Sequence, residues 1–159
     1  MVSDDLLALL RRQFVLLWDG IHGISHWTGV RHNGLRLAKL TAANPQIVEL
    51  FAFIHDSQRV NDAKDPEHGM RAAEFAASLR GSLITLSDKD FVLLQYACEH
   101  HTCGLTEADA TVQTCWDADR LDLGRVGIVP DPRCLCTLAA REPVMIEWAL
   151  HRSQAYWSR

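Results

Sequence analysis

A histidine and an aspartate stand side by side at His55-Asp56, directly after the apolar run Ile47 to Ile54. Such a run delivers the pair to a buried place. An unpaired carboxylate there is costly, so Asp56 needs a metal, another cation or several hydrogen bonds. For an isolated dipeptide the bland arrangement, a satisfied core histidine beside a helix-end aspartate, is the commoner one. This dipeptide is not isolated. His26 comes early in the preceding helix, His68 in the first turn of the following one, and His100-His101 just before Gly104. Asp117 then opens the segment Asp117-Ala-Asp-Arg-Leu-Asp122.

Asp117, Asp119 and Asp122 compete for one inward role, because residues two apart on a helix point to different faces. Asp117 shares a side with Leu121, whereas Asp119 and Asp122 have Arg120 and Arg125 as ordinary partners, so Asp117 is favoured. On its own Asp117 reads as well as a helix cap. Arg59 follows His55 by four residues and faces the same pocket if the helix continues that far. A permanently charged, fork-shaped donor there suits a phosphate, and a salt bridge to Asp56 or Asp62 is the alternative. Lys64 is an ordinary solvated loop lysine. His22, four residues before His26, could support it. His32 and His151 read as surface residues.

The elements that position these groups are predicted to be helical throughout, since alternating strands bounded by turn residues are hard to find. Ser3 can cap a first helix carrying Leu6, Leu7, Leu10, Phe14, Leu17 and Trp18 on one face, ended by Gly20 and Gly23. A second begins near Ser25 and stops by Asn44, ahead of Pro45. Asn44-Pro45 starts the buried helix that ends in His55-Asp56. Asp65-Pro66-Glu67 opens the next, which runs to about Arg80 and stops at Gly81. Ser87 with Asp90 opens another, placing Phe91, Leu94, Cys98 and His101 on its inner face. Thr106 with Asp109 suggests the cap before Asp117. Asp131-Pro132 starts a short helix through Leu138, and Glu142-Pro143 the last. The expected fold is all-α, a compact single-domain helical bundle spanning 1–159, with the motif-bearing core at about 21–126 and C-terminal helices at 132–157 packed on it.

With 159 residues, 48% of them hydrophobic, the chain is long enough to bury well over half of its unfolded surface. A formal charge of −4 with scattered Lys and Arg offers no basic stripe, against a nucleic-acid polymer as partner. Asp4, Asp5 and the interruption Arg11-Arg12-Gln13 fit neither a signal peptide nor a membrane span, so a cytoplasmic protein is expected. Cys98, Cys103, Cys115, Cys134 and Cys136 lack CxxC spacing and read as reduced, buried thiols. Trp18, Trp27, Trp116, Trp148 and Trp157 read as core or pocket wall.

The order His26, His55-Asp56, His68, His100-His101, Asp117 resembles the H…HD…H…H…D pattern of the HD-domain superfamily of metal-dependent phosphohydrolases. The resemblance covers roughly Ile21 to Val126 and includes His26-Trp-Thr-Gly-Val-Arg-His-Asn-Gly-Leu-Arg-Leu-Ala38 and His68-Gly-Met-Arg-Ala-Ala73. It implies that His26, His55, Asp56 and Asp117 hold one divalent cation, a mixed nitrogen and oxygen set suited to Mn, Fe, Co, Ni, Zn or Mg. His68 with His100 or His101 would complete a second site, or His68 and His100 would bind the substrate phosphate, giving one or two metals per chain. Asp56, Arg59, His68 and His100 are then the expected catalytic residues. The implied activity is hydrolysis of a small phosphate ester, possibly a nucleotide. The same scaffold is shared by di-iron oxygenases, and a degenerate, non-catalytic HD-type binding domain is the third reading. The glycine-tyrosine-proline signature of the cyclic-dinucleotide branch is absent after Gly104. Substrate identity and oligomeric state are left open.

Overall fold

Ser3 caps the first helix as expected, accepting from the Leu6 amide at 3.2 Å, and α1 (Asp4–Gln13) buries Leu6 and Leu10. It ends earlier than the apolar spacing predicts, leaving Leu17 77% exposed. Residues 14–23 instead form turns, with Gly20 N donating to Leu17 O and Gly23 N to Gly20 O. The computed structural model describes residues 2–157, and among them it is all-helical, with a single isolated bridge between Arg80 and Ile84 in place of any strand.

α2 (Ile24–Thr41) crosses the molecule to α3 (Pro45–Ile54), where Asn44 caps the Gln46 amide at 3.0 Å and Pro45 sits in the first turn. Every residue of α3 from Ile47 to Ile54 is buried. Past the C-cap His55 the chain tightens into turns, Ser57 N to Ile54 O and Arg59 N to Asp56 O. The α-helix therefore does not continue to Arg59, yet the tighter turn still carries Arg59 inward.

α4 (His68–Ser78) begins without a side-chain cap. Asp65, expected to provide one, is turned elsewhere: its carboxylate accepts from the Val60 amide at 2.9 Å and from Arg71 Nη2 at 2.7 and 2.8 Å. Burial raises the Asp65 pKa, but the Arg71 bonds outweigh it and hold the carboxyl below its ordinary value. A depressed folded pKa contributes stability above the unfolded carboxyl range that is lost as pH falls through the folded value. Asp65→Asn should therefore cost about 1–3 kcal/mol at pH 7. In urea melts the gap to the parent protein should narrow as pH falls from the ordinary carboxyl range through the lower folded value.

α5 (Asp88–His100) is capped by Ser87, which accepts from the Asp90 amide at 3.2 Å. α6 (Ala110–Arg120) is capped by Asp109 alone, without Thr106, and passes into the 3₁₀ segment Leu121–Val126. Asp131 opens only a 3₁₀ turn, Pro132–Cys134; the continuous helix expected to Leu138 is interrupted, and Thr137 caps a separate α7 (Leu138–Arg141) ahead of α8 (Pro143–Trp157).

The main core joins α1 to α6 around Trp27, Phe51 and Trp116, all fully buried. A second cluster, Leu37, Leu121, Leu135, Ala140, Met145 and Ala149, seats the C-terminal helices on α2 and α6. At about 1.5–3 kcal/mol per fully buried large apolar side chain, these clusters offset the cost of placing charged groups inside. Gly69 lets α4 close on α5, since a Cβ there would meet Cys98 O at 2.6 Å. The side chain of Trp157 lies outside the described residues. Cys98, Cys115 and Cys136 are buried and Cys103 and Cys134 exposed, all five as free thiols, so burial holds for only three of them. No helix among the described residues is long and apolar enough to cross a membrane.

Candidate metal centre

Four imidazoles converge at the end of α3. His26 comes from the first turn of α2, His55 from the C-cap of α3, His68 from the start of α4 and His101 from the C-cap of α5. Their Nδ1 atoms are all committed outward. His26 Nδ1 lies 2.8 Å from Asp122 Oδ2, and His55 Nδ1 3.1 Å from Phe51 O. His101 Nδ1 lies 2.7 Å from Cys98 O, and His68 Nδ1 contacts Asp65 O. A carbonyl or carboxylate oxygen only accepts, so each neutral ring must carry its proton on Nδ1 and present a bare lone pair at Nε2.

The four Nε2 atoms nevertheless face one another. His26 Nε2 is 3.1 Å from His55 Nε2, and His68 Nε2 is 2.9 Å from His101 Nε2. Carboxylates join them: Asp119 Oδ1 is 3.3 Å from His26 Nε2 and 3.7 Å from His55 Nε2, and Asp56 Oδ1 is 3.0 Å from His68 Nε2 and 3.5 Å from His101 Nε2. Acceptors aimed at acceptors repel unless positive charge lies between them. The groups His26, His55, Asp119 and His55, Asp56, His101 each hold their donor atoms within 4.8 Å of one another, a spacing compatible with a metal ion.

Protons respond to the same field. Burial would push Asp56 up, but His55, with His101, His22 and His68 close against its oxygens, holds it well below the carboxylate range. Asp119 is likewise held well below that range by His26 and His55 against its burial. Burial and Arg125 push His26 down, yet Asp119 and Asp122 lift it above the ordinary imidazole value. His101 is also raised, burial being outweighed by Asp56 and Asp119, while burial dominates at His55 and lowers it. Because a metal ligand must be a neutral imidazole, cations and protons compete here. Uptake of a divalent metal at neutral pH should release protons, and affinity should fall as pH drops through the histidine range. Calorimetry in buffers of different ionisation enthalpy measures this directly.

His26, His55 and Asp56 are thus brought together with His68 and His101. Asp117 and His100 are not. Asp117 is fully buried, but its Oδ1 accepts from the Cys136 amide at 2.6 Å and its Oδ2 from the Thr137 amide at 2.8 Å and hydroxyl at 2.7 Å. It fastens the segment before α7 and contributes nothing to the cluster. Asp119, two residues on, takes the expected place, with its side chain 20% exposed. Its supposed partner Arg120 bonds Cys134 O and Leu105 O instead. His100 points away, against the Tyr96 ring at 4.4 Å, and His101 replaces it.

Two residues outside the expected set support the cluster. Asp122 holds His26 and in turn accepts from Arg152 Nη2 at 2.7 Å. Gly29 makes room for it, since a Cβ there would meet Asp122 Oδ1 at 2.5 Å. His22 Nδ1 lies 2.8 Å from Asp56 Oδ2, so the His22–His26 spacing of four did signal a neighbour of the site. Arg59 reaches the rim, with Nη1 3.6 Å from Asp56 Oδ1 and 3.2 Å from His68 Nε2.

No family model, curated protein or solved structure matches the chain.

Proposed function

We propose that the protein is a metal-dependent phosphohydrolase of the HD type, acting on a small phosphate ester. The observation that carries this reading is the convergence of four Nε2 lone pairs and two ionised carboxylates, with every Nδ1 anchored by an oxygen acceptor. Outer anchors of this kind are how metal-binding imidazoles are oriented. His26, His55 and Asp119 would hold one divalent cation, with His68, His101 and Asp56 forming the adjacent donor set. Mn, Fe, Co, Ni, Zn and Mg all suit this mixture of nitrogen and oxygen. When bound, such a cation supplies Lewis acidity toward a phosphoryl oxygen and acidifies water toward neutral pH.

The chain's own groups then have defined tasks. Asp56 faces both donor sets, its Oδ2 toward His22 and His26 and its Oδ1 toward His68 and His101. Asp122 and the carbonyls of Phe51, Cys98 and Asp65 fix the rings. Arg59 at the rim offers a guanidinium to an anionic group of the substrate. Burial of the four imidazoles and Asp56 keeps bulk water from them, which strengthens each of these interactions. The test is hydrolysis of chromogenic phosphate mono- and diesters with each metal added in turn. Activity should require metal, vanish on chelation and be absent from His55→Ala. Turnover that survives chelation or His55→Ala unchanged would sink the proposal, and substrate-dependent oxygen uptake by iron-loaded protein would replace it with oxygenase chemistry.

A further inference from the structure

A cleft of about 300 Å³ adjoins the cluster, with Arg59, Lys64, Asp65, His68 and Thr102 in its wall. Its chemistry is one-sided. Arg59 is more than nine-tenths buried; Nη2 donates to Ala63 O at 2.8 Å, while Nε is buried without any hydrogen-bond partner. Its Nη1 lies 3.2 Å from His68 Nε2 and pairs with Asp56 Oδ1 at 3.6 Å, on the side of the cluster. Lys64 adds a second cation from the exposed loop. Pro66 and His68 bring the start of α4 to the same wall, and Glu67 at its N-cap makes no side-chain capping bond. The one acidic residue in the wall, Asp65, is already spent on Arg71 and the Val60 amide. A buried guanidinium with one unbonded N–H, beside a lysine and a helix end without a side-chain cap, suits an anion in the cleft.

This cleft is separate from the place where the two donor sets meet. His68 is the shared wall: its Nε2 faces Asp56 and His101, while the residue also lines the cleft. Resting on the hydrolase reading, in which the reacting phosphoryl lies at the cluster, we infer that the cleft binds a second anionic group of the same substrate, a phosphate or a carboxylate. The substrate class is then a short phosphate ester carrying a second negative charge one imidazole ring away from the first. A volume at the lower end of small-molecule sites, roughly 300–1,000 Å³, fits a compact metabolite.

The test uses two non-hydrolysable probes with the same phosphonyl head, methylphosphonate and phosphonoacetate, titrated calorimetrically into the metal-loaded full chain. Phosphonoacetate adds only the carboxylate. It should bind at least about tenfold more tightly to the parent protein, a difference of the size that charge-assisted hydrogen bonds supply. Lys64→Ala, at an exposed position that leaves the fold intact, should cut that ratio by about fivefold, and Lys64→Glu should bring it close to one. A ratio near one in the parent, or a ratio unmoved by both variants, overturns the inference. So does an equal loss of affinity for both probes, which would place the reacting phosphoryl itself in the cleft. Elemental analysis of the same samples separates the two readings: absent metal with a Lys64-dependent ratio sinks the hydrolase alone, and bound metal with a ratio of one sinks the subsite alone.

Discussion

Asp119→Ala is expected to abolish metal-dependent turnover while leaving the protein folded, whereas Asp117→Ala should do the reverse. Asp119 Oδ1 lies 3.3 Å from His26 Nε2 and 3.7 Å from His55 Nε2. On the proposed reading Asp119 is a direct ligand, whose loss should cost more than the roughly 10–100-fold that follows removal of an outer hydrogen-bond partner, so activity should fall by well over about 100-fold. Asp117 instead satisfies two backbone amides and a hydroxyl in the interior. Its pKa is raised by burial in spite of those bonds, so part of their benefit is spent on keeping the carboxylate ionised. Orphaning these donors should destabilise the protein by about 2–4 kcal/mol, near 8 °C in Tm for a chain of this size. Metal stoichiometry in the folded fraction should be unchanged. Urea melts and elemental analysis on the two variants check both halves.

Asp122→Ala should behave differently from either. Asp122 acts through His26, holding its Nδ1 at 2.8 Å. Removing that anchor leaves the donor set intact but frees the ring to rotate and to exchange tautomers. Metal affinity should drop by roughly 10–100-fold, yet full occupancy and most of the turnover should return at high metal concentration. Asp119→Ala should not be rescued in that way. Titrating activity against metal separates the two, and failure of excess metal to restore Asp122→Ala would mean that this carboxylate does more than orient His26.

Much of this site was legible from residue order because local physics decided it. The apolar run of α3 can only be buried, so His55 and Asp56 had to arrive inside. His101 was legible too: it continues the face set by Phe91, Leu94 and Cys98, while His100, one residue earlier, falls about 100° away and meets Tyr96. Asp117 was harder. It does share a side with the buried Leu121, as the spacing implies, but α6 has two buried sides. One faces α2 and the cluster; the other faces the C-terminal segment, where Leu121 packs with Leu135 and Ala140 and where Asp117 binds Cys136 and Thr137. Helical periodicity separates inside from outside and does not rank two insides. Arg59 depended on whether an α-helix persisted past His55. A tighter turn replaced it, and the i,i+3 geometry brought the guanidinium to Asp56 all the same. The cleft beside Lys64 was out of reach, since it forms only when the 60–65 loop, tied to Arg71 through Asp65, meets the end of α5.

On the proposed reading the facing imidazoles and carboxylates surround a cation. Anomalous X-ray diffraction from crystals grown with Mn or Zn locates that cation directly. We expect a peak within bonding distance of His26 Nε2, His55 Nε2 and Asp119, with Asp117 still bound to the Cys136 and Thr137 amides. A cluster without anomalous density at saturating metal, or a peak at Asp117 instead, would contradict the account.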